Sequence, residues 1–114
     1  MEVVWSDMAL AQLDEVIDYV EEHFGLLTSQ NVLHEILEKT DDLAQYSTHG
    51  IYDACYTSWV SGQDMVIRHL LLAPNRVYYL IDGEQVVIMG IVHVRRSPQA
   101  VTSMIKRFLE EYDK

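Results

Sequence analysis

A chain of 114 residues with 49% hydrophobic side chains is the size of one domain and carries enough apolar material for its own core. No apolar run approaches the ~20 residues that span a bilayer, Met1-Glu2-Val3-Val4-Trp5 lacks the basic stretch of a secretory leader, and Cys55 has no partner for a disulfide or a thiolate metal cluster, which together predict a cytoplasmic protein. Eleven of the eighteen acids but only one of the eight bases, Lys39, precede residue 51, so the net charge of −10 sits in the first half and weighs against a polyanionic ligand there.

Glu2-Val3-Val4-Trp5 has the length of an edge strand, predicted over 2–5. Ser6 is a good N-cap, and Leu13, Val16, Ile17, Val20 and Phe24 recur at helical spacing until Gly25, which predicts a helix over 7–24. Asp14, Glu15, Asp18, Glu21 and Glu22 fall mostly off that stripe and read as a solvated face. Thr28 or Ser29 caps a second helix, predicted over 29–46, whose Val32, Leu33, Ile36, Leu37 and Leu43 repeat the pattern before Ser47-Thr48-His49-Gly50 ends it. Two helices joined so closely form an antiparallel hairpin that packs on one face of a sheet.

The stretch from 52 to 60 alternates weakly and predicts a further strand. Three apolar runs then follow, over 66–72, 76–81 and 85–94, separated by Ala73-Pro74-Asn75 and Asp82-Gly83, both reversal signals. The last run is rich in β-branched residues and delivers His93, Arg95 and Arg96 together. Ser97-Pro98 opens a final helix over 98–112, with Val101, Ile105, Phe108, Leu109 and Tyr112 at helical spacing. The predicted architecture is one α+β domain over 1–114: a helical hairpin on a small, mainly antiparallel twisted sheet (β-α-α-β-β-β-β) with a C-terminal helix.

Five histidines (His23, His34, His49, His69 and His93) show neither i, i+4 pairing nor clustering, so they read as scattered surface residues rather than metal ligands. Arg68, inside an apolar strand, either emerges on an open face or serves as an ion-pair partner for Asp53 or Asp64. Tyr78 and Tyr79 should split, one to the core and one outward.

This order of elements resembles the RelE/ParE superfamily of type II toxin-antitoxin toxins. The resemblance rests on the short strand ending in Trp5-Ser6, the helical hairpin, Ile67-Arg68-His69-Leu70, Val77-Tyr78-Tyr79, and Val86-Val87-Ile88 running into Ile91-Val92-His93-Val94-Arg95-Arg96. It implies a growth-inhibiting toxin, encoded as in plasmid stabilisation systems and neutralised by a cognate antitoxin whose C-terminal segment wraps it. A homodimer and a heterotetramer with the antitoxin are the assemblies it allows, and no cofactor or metal is implied.

Two chemistries follow from that resemblance. A RelE-like toxin is a metal-independent endoribonuclease acting on mRNA, often on the ribosome; here His93 would be acid or base, Arg68 and Arg95 would hold the phosphate, and Tyr79 would assist. Asp53, Asp64 or His49 would then supply a base near the sheet. A ParE-like toxin poisons DNA gyrase and needs no catalytic set. The absence of Lys and Arg between Lys39 and Arg68 removes more from a nuclease than from a gyrase poison, which favours the ParE-like branch. The acidic helices leave a third expectation open, a degenerate, non-catalytic binding module on the same scaffold.

Overall fold

Turn chemistry organises the sheet. In the computed structural model, which describes residues 1–112, Gly83 stands at φ +59 and opens a two-residue reversal that sets Asp82 opposite Gln85. Ala73-Pro74 likewise sets Leu72 opposite Asn75. The result is an antiparallel meander of β3 (Met65–Leu72), β4 (Asn75–Asp82) and β5 (Gln85–His93). β1 (Glu2–Trp5) adds to β5 in parallel and β2 (Ile51–Tyr52) to β3 antiparallel, giving the order β1-β5-β4-β3-β2. Between Tyr78 and Tyr79 the β4–β5 register shifts, so that Tyr78 faces Gly90 and Tyr79 faces Ile88.

Both faces of this sheet are covered. Helices α1 (Asp7–Phe24) and α2 (Leu26–Asp41) lie on one, burying Ala9, Leu13 and Ile36 against Val77, Tyr79, Val86, Ile88 and Ile91. Helix α4 (Pro98–Tyr112) lies on the other, burying Val101, Met104, Ile105 and Phe108 against Ile67, Tyr78, Leu80, Val87 and Met89. The period-2 strands therefore present apolar residues to both sides. Double coverage also decides the tyrosine pair: Tyr78 enters the α4 side and Tyr79 the hairpin side, and neither is exposed.

Ser6 caps α1 as its sequence position predicts, its Oγ accepting the Ala9 N–H at 3.0 Å. The second helix begins three residues earlier than predicted. Gly25, at φ +93, ends α1 by donating its N–H to the Glu21 carbonyl and also accepts the Ser29 N–H that starts α2. Ser29 is consequently buried inside the helix, its hydroxyl donating to the Leu26 carbonyl. At its far end α2 passes into a 3-10 turn, Asp42–Ala44, that buries Leu43.

The strand predicted over 52–60 does not form. After the two residues of β2, helix α3 (Ala54–Ser58) takes over. Thr57 gives the reason: its buried hydroxyl accepts the Ile67 N–H at 2.9 Å and donates to the Ile67 carbonyl at 3.2 Å, while Asp53 N–H adds a bond to the same carbonyl. One side chain thus satisfies the edge of β3 that a longer strand would have paired with.

Candidate functional site

The residues predicted to carry chemistry separate along the sheet. Arg68 lies opposite Tyr79 on the hairpin face. Its Nη1 donates to the carbonyls of Gly50 (2.9 Å) and Thr48 (3.3 Å), and its guanidinium lies 5.5 Å from the centroid of the Tyr52 ring. Its buried Nε has no partner among the described residues. Tyr79, fully buried, donates its hydroxyl to the Ser47 carbonyl at 2.6 Å and accepts the Gly50 N–H at 2.9 Å. Burial pushes the Tyr79 phenol upward, against the opposing pull of the Gly50 hydrogen bond and the Arg68 charge. Arg68 and Tyr79 together fasten the 47–50 loop to the sheet.

His93 ends β5 opposite Asn75. By register it stands about 13 Å along the strands and about 10 Å across them from Arg68. The chain turns there: Val94 N–H donates to the Pro74 carbonyl and Arg96 N–H to the His93 carbonyl. The exposed Arg95 donates its backbone N–H to His93 Nδ1 at 3.0 Å, which makes Nδ1 an acceptor and leaves the proton of a neutral ring on Nε2. Arg68, midway along β3, and His93, at the end of β5, thus stand apart, Arg95 stays with His93, and Tyr79 is sealed.

A larger feature surrounds His93. β1 pairs only with Gln85 to Ile88, so the outer half of β5 has no strand on that side. Ser6 leaves the strand there, donating its hydroxyl to the Met89 carbonyl, and Gln12 of α1 accepts the Ile91 N–H at 2.8 Å through its side-chain oxygen. Between α1, α2 and α4 a groove of about 1480 Å³ runs along this edge. Val16, Val20, Phe24 and Val32 line one wall, Ile91 and Val92 the floor, and His93, Arg96 and Arg107 the rim. A Cβ at Gly90 would come within 2.6 Å of Met104 Sδ and 2.7 Å of Gln12 Oε1, so a larger residue there would displace these two side chains and the Gln12–Ile91 bond.

The sequence reading missed one juxtaposition. His69 is not a surface residue: its Nδ1 lies 2.9 Å from Asp53 Oδ2, and the two side chains are 13% and 16% exposed. The β2–β3 register brings Asp53, just past Tyr52, beside His69. Tyr78 lies across the strand with its ring 5.1 Å from the imidazole, and burial, reinforced by the Asp53 charge, raises its phenol. The available signal was the alternation that places His69 on the face opposite Arg68.

The model of the ParE toxins of the type II toxin-antitoxin system parDE matches residues 3–98 of the chain. Among solved structures the chain is similar to one described as a chromosomal ParDE TA system from P. aeruginosa, with a TM-score of 0.64 and 24% identity over 82% of this chain and 95% of that one. At that identity the likeness is one of fold. No curated protein matches the chain.

Proposed function

Since the chain belongs to the ParE toxin family of type II toxin-antitoxin systems, we propose that it arrests growth in the cytoplasm by poisoning DNA gyrase and is silenced by a cognate antitoxin seated in the groove beside β5. The observation that carries this reading is the groove itself. Its apolar wall and floor, with His93, Arg96 and Arg107 at one rim and Glu15 and Glu35 on the helices, suit an amphipathic segment of a partner protein whose apolar side chains fill the groove. The similar structure described as a ParDE TA system is consistent with a cognate antitoxin as partner.

Gyrase is favoured over mRNA because the groups that a ribonuclease would converge on one phosphate stand apart. Arg68 is engaged by main-chain carbonyls and Tyr79 is buried, so His93 and Arg95 serve as contact residues at the tip. The acidic hairpin supports this choice, since a chain of net charge −10 approaches an RNA surface against repulsion.

Induced expression should arrest a bacterial host, and the purified protein should inhibit gyrase supercoiling while leaving mRNA intact by primer extension. Cleavage of mRNA that is lost in Arg68→Ala or His93→Ala, with gyrase unaffected, would reject the gyrase assignment. The exposed acids of α1 and α2 favour a second reading, a degenerate toxin-fold binding module whose anionic helices contact another partner. Normal growth under induction with folded protein would support that module. Co-expression with a small adjacent antitoxin gene should yield a stable complex, and its failure to form would count against the groove as the antitoxin seat.

A further inference from the structure

On the α4 face, away from the groove's apolar floor, Asp53, Tyr56, His69, Arg76, Tyr78 and Arg96 line an open pocket of about 320 Å³ bordered by Pro98 and Val101 of the first turn of α4. We propose that this pocket binds a phosphate monoester group, either as free inorganic phosphate or as the terminal phosphate of a nucleotide.

The charges make the case. Arg76 and Arg96 form no ion pair with any described carboxylate, although eighteen acids are available to eight bases. The one carboxylate in the wall, Asp53, is taken by His69 Nδ1, which leaves Nε2 as the free ring nitrogen. Both guanidiniums line the pocket, and the several oxygens of a phosphate suit more than one such donor fork. Tyr78 lies beside them, its phenol raised by burial, an effect partly offset by the charge and side-chain hydrogen bond of Arg76, which still has further guanidinium donors to offer a ligand.

Size and long-range charge select the class of ligand. A pocket of about 320 Å³ lies at the lower end of small-molecule sites, which begin near ~300 Å³. A polyanion would meet the summed repulsion of the hairpin acids. A small dianion at the pocket feels mainly the groups that line it, Arg76, Arg96 and the Asp53–His69 pair, because charges farther than a Debye length of ~8 Å at physiological salt are screened.

The test is an NMR titration of the isotopically labelled full chain with inorganic phosphate and, separately, with a nucleoside 5′-monophosphate. Saturable amide shifts should map to His69, Arg76 to Tyr78 and Arg96 to Val101. Arg76→Gln should weaken binding about tenfold, and Arg76→Lys should not restore it, because a bidentate fork is lost in both. Arg96→Gln, in an exposed turn, provides a second variant whose fold is checked by its own amide spectrum. Binding of both ligands with equal affinity would identify the phosphate as the whole recognition element, and tighter binding of the nucleotide would identify a nucleotide ligand. The proposal is overturned if neither ligand gives saturable shifts, if the shifts map elsewhere, or if both glutamine variants bind as the parent does.

Discussion

Under the α1–α2 hairpin, Arg68 is committed to two backbone carbonyls and Tyr79 is locked between Ser47 and Gly50. On the α4 side, Arg76 and Arg96 have no carboxylate partner among the described residues, and they line a pocket together with the Asp53–His69 pair. Arg68 on β3 therefore acts as a fastener of a loop, whereas Arg76 on β4 and Arg96 in the turn after β5 keep donors that no carboxylate among the described residues takes up. An arginine on a strand is not by itself a functional signal; what matters is whether its donors are already engaged.

The sharpest way to break this contrast is Tyr79→Ala, which should destabilise the protein by about 3–5 kcal/mol in urea denaturation, since it empties the hairpin-side core and strands two loop partners. A loss below about 1 kcal/mol would mean that this face is not the fastened one. Next in size, Arg68→Gln should cost about 1–3 kcal/mol, because charged donors to Gly50 and Thr48 are removed. Arg76→Gln should stay within about 0.5 kcal/mol of the parent, and equal costs for the two arginines would erase the difference between the faces.

Alkali gives a smaller effect with a definite sign. Both Tyr78 and Tyr79 have raised phenol values, so above the ordinary tyrosine value the unfolded chain gives up its protons while the folded chain keeps them. Their contribution to stability is fully present below about pH 10 and falls as pH rises through the folded values. Unfolding free energies measured from about pH 9 to 11 should drop less steeply in Tyr79→Phe than in the parent. The smallest effect belongs to the exposed acidic surface: Glu22→Gln should change stability by less than about 0.5 kcal/mol, and a larger loss would reveal a structural role for the anionic helices.

The meander was legible because turn residues and β-branched runs act locally, and α1 because Ser6 and Gly25 bracket one apolar stripe. The segment after β2 was not. Its weak alternation suits a strand, and only the long-range bonds of Thr57 to Ile67 select a helix. Tyr78 and Tyr79 were misjudged because a strand pattern does not reveal whether its second face is covered, and α4 covers it. Asp53 was visible as a base near the sheet, but its pairing with His69, sixteen residues later, depends on a two-residue strand that no motif marks. His93 and Arg95 stand two residues apart in the chain; their distance from Arg68 follows from register, which composition does not encode.

Gly25 has a consequence for how this fold tolerates lengthening or shortening. One residue serves as the end of α1 and the beginning of α2, so the elbow contains no slack to absorb an extra amino acid or a missing one. Changing the chain by one residue there would turn α2 by about 100° about its own axis, carrying Ile36 and Thr40 out of the interior and bringing solvent-facing side chains in. A corner that looks like a surface connection thus behaves as a fixed gear tooth.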